Sequence, residues 1–560
     1  MPYLKVSVKH LLESAFVVLT LLLVSCQSTQ KVNLIVHNGT IYTVDSVFTV
    51  AEAMAIDKGK IVAVGSNEEI LKHYRADSML DVTGQTVFPG LIDAHCHFTG
   101  YAADSWKCEL TGTRSFDEIV QKLQDFEKNL PAGDWLYGRG WDQNDWPEKK
   151  YPNKLKLDQL FPNRPVFLKR IDGHAALANQ KALDMAGITL QKTTTGGAFL
   201  QEGGQLTGVL IDNAMNEVEK IIPQPDEETL KRYFVQLQER CFALGLTGVH
   251  DCGVDERTIR LVQEGHKSNQ LKMKIFALLT DSAHYYDRWL QSGPLRSDRL
   301  HVGGFKLYAD GALGSRGACL LHDYDDQPGW KGFLLSEQKH FEDVADQLYN
   351  SGFQMCTHAI GDSGNRLILD VYAQKLKGKN DRRWRIEHAQ VVDSKDCSFF
   401  GNNSIIPSVQ PTHATSDMYW AEQRVGKERI KNAYAYQQLL QQNGWMPLGT
   451  DFPVEDINPF KTFLAAVTRQ DANGYPNNGF QMENALTREQ TIRGMTIWAA
   501  KAAFEENEKG SLEPGKAADF IVLDQNLMKC PQKMILQTQV LYNFINGECV
   551  QKKLPSPPNK

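Results

Sequence analysis

The sequence predicts an α/β fold: a TIM-like (β/α)8 barrel, with a small β-sandwich made from both ends of the chain and a long insertion after the first barrel strand. Three observations lead there. Through the middle of the chain, short apolar runs alternate with helix-like stretches, the pattern of repeated βα units around a parallel sheet. Both ends carry β-like runs broken by Asn-Gly and Lys-Gly turn pairs. The stretch from about 104 to 240 is too long for one strand-to-helix connection.

At the N-terminus, Lys5, Lys9 and His10 precede an uncharged stretch from Ser14 to Val24 that ends in Leu23-Val24-Ser25-Cys26. This reads as a cleaved export signal over 1–26. It is shorter than the roughly 18 apolar residues that span a bilayer, and a small residue followed by Cys resembles a bacterial lipoprotein signal. That resemblance implies a lipid anchor at Cys26 and an exported protein held at the membrane of a bacterial cell envelope. An ordinary secretory signal with an incidental Cys, or an uncleaved anchor, is the alternative.

The sandwich is expected from 27–88 and 456–560, with the last barrel helices at about 456–505. Its first part holds Leu34-Ile35-Val36, Ala53-Met54-Ala55-Ile56 and Ile61-Val62-Ala63-Val64, separated by Asn38-Gly39 and Lys58-Gly59-Lys60. Its second part holds the runs 518–523 and 540–545, followed by Asn546-Gly547. The barrel occupies 89–455. Counting back from Asp451 gives eight strands, at 89–97, 246–252, 273–279, 302–308, 353–358, 384–388, 405–410 and 445–451.

Charge and cysteine content narrow the function. The net charge is -6, from 61 basic and 67 acidic residues well mixed along the chain. No basic stripe of the kind that binds nucleic acid is present, so a small-molecule substrate is the expected partner, with self-association left open. The ten cysteines lack paired spacing, which points to neither a disulfide scaffold nor a zinc ribbon and leaves room for one or two disulfides.

Six residues able to bind or organise metal sit at or near the ends of apolar runs, where a barrel gathers its chemistry. His95-x-His97 sends two imidazoles to the same side of a strand. Alone it proves little, because chance supplies about 0.4 such pairs among 15 histidines in 560 residues. Lys306 ends Val302-Gly303-Gly304-Phe305-Lys306-Leu307, where an amine is costly to bury. Burial lowers a lysine pKa, and a neutral amine can take up carbon dioxide as a carbamate that bridges two ions. The alternative is a lysine that reaches solvent or pairs with Asp310. His358 and His388 could equally be satisfied core residues, and Asp451 could merely cap a helix. Together the six make a series: two histidines on strand one, lysine on four, histidine on five and six, aspartate on eight.

That series resembles the metal site of the amidohydrolase superfamily. The chain is most similar to its N-substituted formamide deformylase-like branch, through Phe88-Pro89-Gly90-Leu91-Ile92-Asp93-Ala94-His95-Cys96-His97, Asp172-Gly173-His174-Ala175-Ala176-Leu177-Ala178-Asn179, the run from Lys306 to Arg316, His358-Ala359-Ile360-Gly361-Asp362, Glu387-His388 and Asp451-Phe452-Pro453. The resemblance implies that His95, His97 and Asp451 hold one ion, that His358 and His388 hold a second, and that carboxylated Lys306 bridges them. Two zinc ions suit these ligands, though manganese, iron or nickel could occupy such a site. In the implied reaction the metals acidify a water and polarise a carbonyl, and Asp451 carries the water's proton to the leaving nitrogen. Cleavage of an amide or formamide C–N bond follows. A cyclic amide or imide hydrolase, or a ligand-binding lipoprotein scaffold without turnover, are the other readings.

The insertion is rich in aromatic side chains, with Trp135, Tyr137, Trp141, Trp146 and Tyr151 close together. They suit a flat, partly apolar ligand, or else they form the insertion's own core. His174, Asp310, Arg316, His413 and Trp141 are the candidate substrate residues.

Overall fold

The computed structural model describes residues 29–131 and 133–553. The expected export signal over 1–26 and Cys26 lie outside the described residues.

Seven strands pair in parallel and in chain order: β1 (Leu91–Cys96), β2 (Leu246–Val254), β3 (Lys274–Thr280), β4 (Leu300–Tyr308), β5 (Gln354–Ala359), β6 (Arg385–His388) and β7 (Ile406–Ser408). β1, β5 and β6 are buried along their whole length, as parallel strands covered on both faces must be. The eighth position departs from the expected strand over 445–451. Only a single bridge, Val409 to Leu448, marks it as β structure. Pro447 has no N–H to give a ladder, and a side chain on Gly449 would come within 2.5 Å of the His95 nitrogen. The segment still closes the barrel, because Gly449 donates to Val409 at 3.1 Å, Ala94 to Leu448 at 3.1 Å and Asp451 to His95 at 2.7 Å.

The outer layer is built from amphipathic helices. In Glu227–Ala243, Asp226 caps the first turn by accepting from Thr229 N, and Leu230, Phe234, Leu237 and Cys241 recur on one face. That face belongs to the barrel core. The insertion therefore ends before this helix rather than at about 240.

The insertion folds around its own six-stranded sheet, in the order Gly197–Glu202, Gln205–Asp212, Ala175–Ala178, Val166–Arg170, Leu136–Trp141 and Cys108–Glu109. Apolar clusters cover both faces. Trp141 and Trp146 pack with Leu136, Leu168 and Val209 on one face, and Trp135 and Tyr137 pack with Phe167 and Leu210 on the other.

The two chain ends meet as expected. A four-stranded sheet (Lys60–Gly65, Ala53–Asp57, Gln30–His37, Tyr74–Asp81) faces a six-stranded one in which Thr86–Pro89 pairs with Phe520–Leu523. Leu34, Val36, Met54, Val87, Phe520 and Phe544 share the core between them. The nine cysteines among the described residues are all free. No helix among them is long and apolar enough to cross a membrane.

Candidate metal centre

The ends of β1, β4, β5 and β6 and the closing segment converge at one end of the barrel. Asp93 fixes the first of them to the last, since it accepts from His95 N at 3.2 Å, Thr450 N at 3.0 Å and Thr450 Oγ1 at 2.6 Å. Burial pushes its carboxyl up to about 7, with the Thr450 bonds working the other way.

His95 donates from Nδ1 to Glu387 Oε2 at 2.5 Å, and His97 donates from Nδ1 to the Cys252 carbonyl at 2.9 Å. Both Nε2 atoms therefore turn to Asp451 Oδ1, at 3.5 Å from His95 and 3.2 Å from His97. Fixing one ring nitrogen by a hydrogen bond selects the tautomer that leaves the other free as a ligand. Burial, helped by Lys306, lowers the His95 pKa to about 4. Glu387 is held at about 2, its partnership with His95 outweighing burial. The pair is thus a neutral imidazole on an ionised carboxylate.

His358 and His388 lie edge to face with ring centroids 4.6 Å apart, and His388 is 4.8 Å from His95. Burial lowers the pKa of His358 and of His388 well below the usual range, so both rings are neutral and ligand-competent. His388 has φ +72° and Asp451 φ +63°, left-handed conformations that side chains rarely adopt and that concentrate at functional sites. The turn at His388 also breaks strand alternation. It brings Glu387 and His388 into one cluster, which is why alternation in Arg385-Ile386-Glu387-His388 gives no sign of Glu387.

Lys306 is completely buried, with Nζ 3.2 Å from His95 Nε2 and 5.0 Å from the Tyr308 ring centre. It neither reaches solvent nor forms an ion pair among the described residues, and Asp310 is taken up elsewhere. The expected fall in its pKa is not found. Burial does oppose the ammonium, but Tyr308, Cys252, Glu387 and Asp451 together raise it above the ordinary lysine value. These are the protein's groups alone, and a divalent cation adds the opposite field.

Two sets of potential ligand atoms each lie within 4.8 Å of one another: His95, His97 and Asp451, and His388, His413 and Asp451. Asp451 Oδ1 is buried without an aligned hydrogen bond, as is His388 Nδ1. A buried acceptor with no proton donor fits a cation. His413 enters the centre more closely than expected of a substrate residue. Its Nε2 is 3.3 Å from Asp451 Oδ2 and its Nδ1 is 3.0 Å from Glu455 Oε1, and the two carboxylates outweigh burial to raise its pKa.

Above the centre lies a cavity of about 620 Å³, lined by His97, Lys306, His358, His388, His413 and Asp451 on the barrel side and by His174, Lys169, Arg139 and Asp142 on the insertion side. Three expected substrate residues fall outside it. Trp141 is 1 % exposed and donates from Nε1 to the Leu168 carbonyl at 2.8 Å, inside the insertion core. Arg316 pairs with Asp326 at 2.8 Å, and its neighbours Leu313 and Gly314 line the cavity instead. Asp310 is fully buried, accepting from the backbone of Cys319, Ile360 and Gly361 at 2.8, 3.0 and 2.8 Å. It holds the turn after His358 in place. The cavity wall is more polar than the aromatic run suggested, because most of those rings are consumed by the two cores of the insertion.

Residues 79–551 match the model of the amidohydrolase family. The chain belongs to that family. This amidohydrolase is 34% identical to Protein LONG AFTER FAR-RED 3 of Arabidopsis thaliana over 539 residues, covering 92% of this chain and 91% of the relative. It is 26% identical to the N-substituted formamide deformylase of Arthrobacter pascens, over 93% of this chain and 98% of the enzyme. Its fold matches the crystal structure of an uncharacterized metal-dependent hydrolase from Pyrococcus horikoshii with a TM-score of 0.72 and 28% identity, over 89% of this chain and 99% of that one. The amidohydrolase described here is a metal-dependent hydrolase of this family.

Removing the Glu387 carboxylate should loosen the centre without touching a ligand. Glu387→Gln is expected to weaken metal binding by about 10- to 100-fold, the usual cost of losing a partner behind a ligating histidine. Metal retention against a graded chelator reads this, and retention equal to the parent's would show that Glu387 has no such role.

Proposed function

We propose that this amidohydrolase cleaves an amide or formamide-type C–N bond of a small molecule, with His95, His97, His358, His388, Asp451 and a carboxylated Lys306 as the residues that would hold two zinc ions. When bound, such ions acidify water and polarise the substrate carbonyl. Asp451 carries the water's proton and delivers it to the leaving nitrogen. The observation that carries this reading is the placement of Asp451: Oδ1 faces the His95–His97 pair, Oδ2 faces His413, and the residue borders the cavity. One carboxylate then touches both the candidate ligands and the space where a substrate would lie. His413 and Glu455 orient it from the far side.

The likeness to N-substituted formamide deformylase supports a C–N bond over an ester. A panel of N-substituted formamides, simple amides and matched esters tests this on metal-loaded protein. Acid and amine released in equal amounts are expected, and turnover confined to esters would overturn it. The mixed lining of lysine, arginine and carboxylate suits a small polar substrate better than a flat aromatic one.

On sequence grounds the enzyme works outside the cytoplasm, tethered to a membrane by a lipid on Cys26. Fatty-acid labelling should be lost in Cys26→Ser. Unchanged labelling would place the lipid elsewhere.

A further inference from the structure

Three cations of the insertion, Lys107, Arg139 and Lys169, line the cavity above the centre, together with two carboxylates, Asp104 and Glu219. Lys107 pairs with Asp104, its Nζ 3.9 Å from the Tyr137 ring centre, and Lys169 pairs with Glu219 at 2.9 Å. Arg139 is the cation left over. Its Nε lies 3.5 Å from Asp104 Oδ2, a carboxylate that Lys107 already engages. Its one hydrogen bond among the described residues runs from Nη2 to the Ile171 carbonyl at 3.1 Å.

The insertion sheet sets this arrangement. In the parallel pairing of Leu136–Trp141 with Val166–Arg170, Arg139 stands opposite Lys169, and on its other side it stands opposite Glu109. Like charges at facing positions of neighbouring strands are destabilising. Glu109 does not offset them, because its Oε1 accepts from Thr111 N at 2.8 Å and it makes no ion pair with Arg139 among the described residues. Asp142 and Asp172 hold Arg170, and Glu455 faces His413 at 3.0 Å, so none of these is paired with Arg139 either.

The Arg139 side chain is 14% exposed. A guanidinium keeps its charge in any protein setting, and burying one with most of its five N–H donors unused is costly unless something else meets it. There is room for that partner. Arg139 lines both the cavity of about 620 Å³ and a second one of about 370 Å³, which lies along the seam of insertion and barrel between Tyr101, Ile171 and Val454.

We propose that the substrate carries a carboxylate, and that Arg139 binds it through the N–H fork left free in the cavity, with Lys169 beside it as a second positive charge. This rests on the C–N hydrolase reading above and narrows it to anionic amides and formamides. A planar fork meets a carboxylate with two parallel hydrogen bonds, so a carboxylate is preferred over a neutral group of the same shape. Arg139 stands on the insertion side, apart from the candidate ligands. Its grip is therefore the same in the ground state and the transition state, and it acts chiefly on KM.

The test uses full-length, metal-loaded protein and two sets of amides with one to three methylenes before the carboxylate. One set, the N-formyl amino acids, carries it on the amine half, and the other, the N-methyl monoamides of dicarboxylic acids, on the acyl half. Each acid is compared with its neutral carboxamide. In the parent, the best acid should exceed its carboxamide in kcat/KM by about 10- to 100-fold, the scale of a hydrogen bond to a charged group. In Arg139→Met that ratio should fall to within about threefold of unity through a rise in KM for the acid, and Arg139→Lys, which keeps the charge without the fork, should fall between. The ratio is read within each protein, so a general loss of activity cancels. A parent that shows no preference for the acid at any length, or a parental ratio in Arg139→Met, overturns the proposal and leaves the hydrolase reading standing. Metal-loaded parent that cleaves neither acids nor carboxamides removes that reading, and the proposal with it.

Discussion

Asp451→Asn is expected to keep most of the bound metal and lose nearly all turnover. Asparagine preserves the shape of the side chain and an oxygen for the ligand position, and five other candidate ligands remain. It cannot take up a proton. Loss of a positioned acid–base group costs about 10²- to 10⁴-fold, and the fall should appear in kcat and kcat/KM together. In the parent, burial would raise the Asp451 pKa, but the His413 hydrogen bond, with the surrounding histidines, holds it well below the ordinary carboxylate range. The carboxylate is therefore ionised and ready to accept. Steady-state kinetics with metal analysis on the same preparation reads both halves, and parent-like turnover would remove Asp451 from proton transfer.

Lys306→Ala should have the second large effect, on metal content rather than on chemistry alone. Lys306 is buried, has no ion-pair partner among the described residues and lies 3.2 Å from His95 Nε2, so as a plain ammonium it repels the ions its neighbours would bind. As a carbamate it becomes a carboxylate at the centre of the cluster. Parent protein given ¹³C-bicarbonate should show a carbamate resonance and about two ions per chain. The alanine variant should lack the resonance and retain at most one ion. Equal metal in both proteins, with no carbamate signal in the parent, would leave Lys306 a buried structural amine.

How much of this was legible in the sequence depended on what each residue does locally. β2 to β6 could be read because parallel strands covered on both faces are continuous apolar runs. The closing segment, expected as a strand over 445–451, is not a regular one, since Pro447 and Gly449 give it the barrel's position without the ladder of a strand. The six candidate ligands stood out because each ends such a run. Glu387 did not, because the left-handed turn at His388 overrides the alternation that would point the two side chains apart. Asp212, which holds the His174 ring, was invisible for another reason: its meaning depends on His174, 38 residues away, and on two glycines a hundred residues further on. The aromatic cluster pointed to Trp141 and the motif from Lys306 to Arg316 pointed to Arg316 as pocket residues, but the insertion takes the ring into its core and Asp326 engages the guanidinium.

The most direct test of a metal-dependent hydrolase centre is the metal content per chain, by elemental analysis of carefully prepared protein incubated with zinc and bicarbonate, alongside amide and formamide turnover as a chelator strips it. About two tightly bound ions per chain, with turnover disappearing as they leave, is the expected result. No tightly bound metal after that incubation would contradict the centre built here from His95, His97, Lys306, His358, His388 and Asp451.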